Sequence, residues 1–131
     1  MILLDTHALV WFLSDQSKIN SKTLNLINVE YKKGEVKYSA ISIWEICLLA
    51  KKGKLSFTKN IDLWVRNLKI LPLLKSISLD DVIAQKSVFL EGFKNPDPAD
   101  RIIIATALSL GCPLITKDKK IRDYKRVKTI W

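Results

Sequence analysis

The run from Ile102 to Leu110 admits few folds. It is apolar almost all round, and a helix of that kind has to be wedged between other layers rather than laid on a surface. Its start is equally marked. Pro98 suits the first helical position, where its missing N–H would have had no partner. Asp97 is the natural N-cap, and Asp100 falls three residues later in the first turn. Two carboxylates therefore stand at the mouth of a buried helix.

The rest of the chain alternates short apolar runs with helical patterns. Met1 to Leu4 ends at Asp5 and reads as a fully buried parallel strand. Thr6 to Leu13 follows as a helix, with Asp5 at its cap and Leu9, Val10 and Leu13 on one side. After a polar connection from Asp15 to Asn20, Leu24, Ile27 and Tyr31 mark a second helix, which Gly34 stops. Val36 to Ile41 is a second strand. Ser42 opens a third helix with Ile43, Ile46, Cys47 and Ala50 in helical spacing, and Gly53 ends it. Ile61, Trp64, Val65 and Leu68 repeat the pattern. Ile70 to Leu73 reads as a strand that Pro72 confines to a terminus or an edge. Ser78 caps a fifth helix reaching about Leu90, with Leu79, Val82 and Ile83 inward. Gly92 to Pro96 is a loop, and Cys112 to Thr116 and Val127 to Trp131 are the last strands. Strands alternating with helices predict a parallel sheet covered on both faces, because right-handed crossovers leave few other arrangements. The fold class is α/β, a three-layer α/β/α sandwich. With no internal repeat or linker, residues 1–131 read as a single domain.

Charge bounds the partners. A net charge of +9 points towards polyanions or an acidic protein. From Lys117 to Lys128 there are seven basic residues against Asp118 and Asp123, and Lys51 to Lys59 adds four with no acid. A merely solvated basic face explains the composition equally well. No apolar run approaches the ~20 residues of a membrane span. The N-terminus turns acidic at Asp5 without the basic region of a signal peptide, so the chain is expected in the cytoplasm. Cys47 and Cys112 lack paired spacing and read as core packing. Trp11, Phe12 and Trp44 also read as core, with a dimer or partner surface as the alternative.

Asp5, Glu45, Asp100 and Asp118 are the candidate site residues. Each has a bland explanation. Asp5 and Asp118 follow strands and could simply cap helices, Glu45 lies at capping-box distance from Ser42, and Asp100 complements a helix dipole. Together they say more. Segments after the strand C-termini of an open parallel sheet share one edge, where the ligand crevice forms. Two like charges ~4 Å apart repel by about 4 kcal/mol at an effective dielectric near 20, so four converging carboxylates need protons, salt bridges or a hard cation. Mg²⁺ or Mn²⁺ suits an all-carboxylate cluster, whereas zinc does not suit a chain with one histidine, His7, and no cysteine pair. Such a metal polarises a phosphoryl oxygen and activates water. No glycine-rich phosphate loop or serine or cysteine constellation competes, and the basic flanks attract a polyanionic backbone. The chemistry inferred is metal-dependent phosphodiester hydrolysis.

Four segments in this order carry a resemblance: Leu4-Asp5-Thr6-His7, Ser42-Ile-Trp-Glu45-Ile, Asp97-Pro-Ala-Asp100-Arg-Ile-Ile-Ile-Ala-Thr-Ala107 and Leu114-Ile-Thr-Lys-Asp118. The chain resembles the PIN domain over essentially its whole length, and within it the VapC-type toxins of bacterial toxin–antitoxin pairs. The resemblance implies a Mg²⁺- or Mn²⁺-dependent endoribonuclease acting on RNA. It also implies a homodimer and a cognate antitoxin whose C-terminal segment occupies the active-site groove. The family's acidic quartet maps to Asp5, Glu45, Asp100 and Asp118. Thr116 matches a hydroxyl position near the metal, Thr6 a similar one beside the first acid, and Asp97 a recurring acid that its place before Pro98 already explains as a cap. Arg101 is left between two roles, holding substrate phosphate or pairing with a neighbouring acid. The loop Gly92-Phe93-Lys94-Asn95 departs from the family's pattern, often a leucine-proline pair and a histidine. Two rivals remain. A phosphatase with an aspartyl nucleophile wants a second acid where His7 stands, and a non-catalytic basic module would use these acids only as caps.

Overall fold

The computed structural model describes residues 1–55 and 60–131. Lys59, counted above in the second basic stretch, lies outside the described residues. Five strands are present among them: β1 (Ile2–Leu4), β2 (Val36–Ser39), β3 (Leu74–Ile77), β4 (Leu114–Ile115) and β5 (Thr129–Ile130). They form one sheet in the order β3-β2-β1-β4-β5, and every pairing is parallel. The helices are α1 (Thr6–Ser14), α2 (Ser21–Lys32), α3 (Ala40–Lys51), α4 (Ile61–Lys69), α5 (Asp81–Val88), α6 (Pro98–Leu110) and α7 (Lys119–Asp123), with a short 3₁₀ turn at Gln16–Lys18.

Strand alternation makes the three layers. Successive side chains of β1 point to opposite faces, so Ile2 and Leu4 go one way and Leu3 the other. Ile2 and Leu4 join one apolar cluster with Leu9, Phe12, Ile27, Ile46 and Leu68, drawn from α1 to α4. Leu3 joins a second cluster with Ile103, Ile104 and Ala107 of α6 and Ile121 of α7. Each face of the sheet thus has its own core, and the α/β/α sandwich read from the sequence is the observed fold.

The buried helix behaves as its sequence requires. Ile103 to Ala107 are all buried in α6, and Thr106 satisfies its hydroxyl on the Ile102 carbonyl at 2.7 Å. Asp97 caps its start, accepting the Asp100 N–H, with Pro98 in the first turn. Gly111 ends it in the left-handed region at φ 63°, where a side chain would be strained.

Several boundaries differ from expectation. Ser39, not Ser42, caps α3 and accepts the Ile41 N–H, because β2 stops two residues earlier than the apolar run. Glu45 therefore has no capping-box role with Ser42. Asp80, not Ser78, caps α5 and accepts the Ile83 N–H at 2.8 Å. That phase turns Ile83 and Ser87 inward and leaves Leu79 and Val82 exposed. The third strand lies at Leu74–Ile77 rather than Ile70 to Leu73: Leu74 is the first of these side chains to be buried, while Ile70 stays 76% exposed. Cys112 is buried, but Cys47 is exposed, since α3 directs the adjacent Ile46 inward. Phe12 is core, Trp11 half-buried and Trp44 exposed.

Candidate metal centre

The strand order reverses beside β1. The chain steps outward from β1 to β2 and β3, then returns to place β4 on the other side of β1. Ligand crevices of open parallel sheets form outside the strand C-termini at such a switch point. Asp5 follows β1 and Asp118 follows β4, so both acids stand at that mouth. The Asp5 N–H donates to the Ile115 carbonyl at 3.0 Å, which locks the two strand ends together.

Each acid arrives by its own local logic. Asp5 caps α1, and its Oδ1 accepts the Ala8 N–H at 2.7 Å. Asp118 caps α7, and its Oδ1 accepts the N–H groups of Lys120 and Ile121 at 2.8 and 3.2 Å, leaving Oδ2 outside the cap. Asp100 lies in the first turn of α6, where the Asn95 amide donates to its Oδ2 at 2.9 Å. Glu45 lies in α3, a helix packed against α6. The capping roles of Asp5 and Asp118 are therefore real, and they aim those two carboxylates.

Glu45, Asp97 and Asp100 each place a carboxylate oxygen within 4.8 Å of the others. Asp97 is thus more than the cap it resembled in the sequence; it belongs to the cluster. Asp5 and Asp118 are not in that tight trio. Asp118 nevertheless raises the affinity of both Asp5 and Asp100 for protons, which places its charge within reach of each. Burial pushes the Asp5 carboxyl up to about 6, against the opposing hydrogen bonds from Thr116 and Ala8. Burial, then the charges of Asp97, Asp118 and Glu45, push Asp100 up to about 7. Among the described residues, the ion pairs are Met1 and Lys33 with Glu30, Lys119 with Asp123, and Arg126 with Glu91. None offsets these five acids. Hard oxygen donors with uncompensated negative charge are the donor set that Mg²⁺ or Mn²⁺ takes.

The supporting residues differ from expectation in an informative way. Thr116 is fully buried; its hydroxyl bonds Asp5 and accepts the Asp118 N–H at 3.0 Å, bridging the two acids. Thr6 donates to Ser42 at 3.1 Å in a buried bond that ties α1 to α3. Arg101 is in none of the ion pairs among the described residues. Its guanidinium donates to the carbonyl oxygens of Ser87, Phe93, Asn95 and Val88 at 2.8 to 3.0 Å, and lies over the Phe93 ring. It staples the loop that presents Asn95. Asn95 itself escaped the sequence reading; its Asn-Pro-Asp-Pro setting is the local signal, since its Oδ1 accepts the Asp97 N–H in an Asx turn.

With this geometry in place, the comparisons agree. The model of the PIN domain matches residues 2–127, and the chain belongs to the PIN-domain family. Ribonuclease VapC22 of Mycobacterium tuberculosis is 27% identical over 132 residues, covering 99% of this chain and 98% of that protein. The fold is similar to that of VapBC2 from Rickettsia felis, bound to a DNA fragment from its promoter: TM-score 0.72, 18% identity, 99% of this chain and 98% of that one. It is likewise similar to a toxin–antitoxin complex from Klebsiella pneumoniae, with TM-score 0.64, 21% identity, and 100% and 97% coverage. No helix among the described residues is long and apolar enough to cross a membrane.

Proposed function

We propose that this chain is a Mg²⁺- or Mn²⁺-dependent endoribonuclease, a single catalytic domain over residues 1–131 and the toxin of a toxin–antitoxin pair. The observation that carries the reading is the convergence of Glu45, Asp97 and Asp100 within 4.8 Å at the mouth shared with Asp5 and Asp118. Membership of the PIN family, a relative named a ribonuclease and a neighbour solved as a toxin–antitoxin complex support it. The toxin–antitoxin neighbour supports a cognate antitoxin as the partner that holds the chain in check, and the same reading includes a cytoplasmic homodimer.

Asp5, Asp100 and Asp118 are the direct ligands, and Glu45 either joins them or orients the attacking water. Asp97 holds the first turn of α6 and adds its charge to the cluster. A bound divalent cation supplies Lewis acidity towards the phosphoryl oxygen and the attacking water. The chain's own contribution is positional. Thr116 fixes the spacing of Asp5 and Asp118, Asn95 fixes the rotamer of Asp100, and Arg101 fixes Asn95.

The test is cleavage of single-stranded RNA by purified protein with Mg²⁺ or Mn²⁺, compared with Asp5→Asn and Asp100→Asn. Both variants are expected to fold and to lose cleavage. Full activity in either purified variant would sink the assignment. Mn²⁺ should raise the melting temperature of the wild type and not of Asp100→Asn; equal stabilisation of both would favour a non-catalytic basic module.

A further inference from the structure

Beside the acids runs a line of aromatic rings that the metal centre does not use. His7 and Trp11 lie one turn apart on α1 with ring centres 5.6 Å apart, and Trp11 meets Trp131, just past β5, at 5.7 Å. The Lys117 ammonium lies 5.9 Å from the centre of the Trp11 ring. Both ends of the line are informative. His7 is two residues from Asp5 and Lys117 is next to Asp118, so one end touches the mouth where the acids stand. At the other end Trp131 lines a cleft of about 790 Å³ together with Lys22, Lys119, Arg122 and Lys125, against one acid, Asp123.

The rings are not simply core. Trp11 and Trp131 pack on the cluster around Leu9 and Ile27, but both stay partly exposed and His7 is exposed. Accessible rings interleaved with cations are what single-stranded nucleic acid requires, because every base has a π-face and every linkage a negative phosphate.

We propose that His7, Trp11 and Trp131 form a stacking subsite for an unpaired RNA nucleotide flanking the cut phosphate, and that the basic cleft beyond Trp131 holds the phosphates that follow. This rests on the ribonuclease reading and adds to it the place where a base flanking the cut is held. An acidic protein segment would use the cations, but rings placed between the catalytic mouth and the basic cleft match the alternation of base and phosphate along one strand, so the RNA strand is the occupant that both features fit.

The experiment is fluorescence anisotropy in EDTA, where the strand stays uncut, with a short labelled oligouridylate and an abasic ribose-phosphate oligomer of equal length. Stacking on an aromatic ring contributes about 5- to 150-fold per base, so the wild type should prefer the oligouridylate by at least about 5-fold. Trp131→Ala should abolish the preference while still binding the abasic strand, and Trp131→Phe should restore part of it. His7→Ala, at an exposed position that cannot unfold the chain, should reduce the preference. Equal binding of both oligomers by the wild type overturns the subsite while leaving the nuclease reading intact. Binding of neither oligomer, or displacement by an acidic peptide in place of RNA, overturns the RNA reading beneath it.

Discussion

Asp97 and Asp100 face one another across the first turn of α6, with the Asp97 Oδ2 accepting the Asp100 N–H at 3.4 Å while both carboxylates belong to one cluster with Glu45. One residue thus starts the helix and crowds the acid that the helix presents. The two duties separate by substitution. Asp97→Asn keeps the cap and removes the charge, so its stability should stay within about 0.5 kcal/mol of wild type while Mn²⁺ affinity falls. Asp97→Ala should lose a further ~1 kcal/mol of stability with the cap. Chemical denaturation and Mn²⁺ titration of the two variants check this; unchanged metal affinity in both would leave Asp97 a cap alone.

Metal-free stability should fall as pH rises. An unfolded aspartate titrates near 3.9, whereas Asp5 and Asp100 are pushed up to about 6 and about 7 in the folded chain. The folded state therefore binds more protons across that window, and stability is highest below it and lost as pH climbs through the folded values. Glu30 and Asp123, held low by hydrogen bonds from Lys33 and Lys119, act the opposite way at lower pH. Melting temperature in EDTA should drop between about pH 5 and pH 7.5, and Asp100→Asn should flatten the drop. A flat wild-type profile would contradict the charge crowding.

Arg101→Lys should be a structural lesion rather than a conservative change. A lysine ammonium cannot reproduce a planar fork that donates to four carbonyls. Hydrogen bonds from a charged group contribute about 1.5–3 kcal/mol each when deleted without replacement, and partial compensation by lysine leaves an expected loss of ~2–4 kcal/mol. A variant of wild-type stability with weakened RNA binding would instead return Arg101 to the phosphate.

Removing one half of the buried Thr6–Ser42 pair should loosen α1 against α3. Ser42 is fully buried and its hydroxyl is the partner of Thr6 at 3.1 Å. Thr6→Val leaves a buried hydroxyl to find a new partner, at a cost of about 1–3 kcal/mol. Cleavage should fall more than stability explains, since Asp5 precedes α1 and Glu45 rides on α3. Rate and denaturation measured on the same preparation distinguish the two.

Much of this was legible locally. Asp97 and Pro98 mark the start of α6 through contacts within one turn, and Ile2 to Leu4 announce a buried strand by their own composition. The acids after β1 and β4 could be placed on one edge as soon as the sheet was read as parallel. Ser39 could not be told from Ser42 as a cap, because β2 ends where its pairing with β1 and β3 ends, not where its apolar run ends.

What the tertiary structure decided lies at longer range. The order β3-β2-β1-β4-β5 brings Asp118 beside Asp5 across more than a hundred residues of chain, and no local spacing encodes that. The same holds for α3 against α6, which turns Asp97 from a cap into a member of the cluster, and for Arg101, whose partners are carbonyl oxygens that any sequence supplies. By itself the sequence determined the order of helices and strands, the cap of α6 and the places of the four acids along the chain, because hydrogen bonds and periodicity act within a turn. Only packing decided which of those acids meet, because the sheet order and the packing of α3 on α6 bring together elements that lie far apart along the chain.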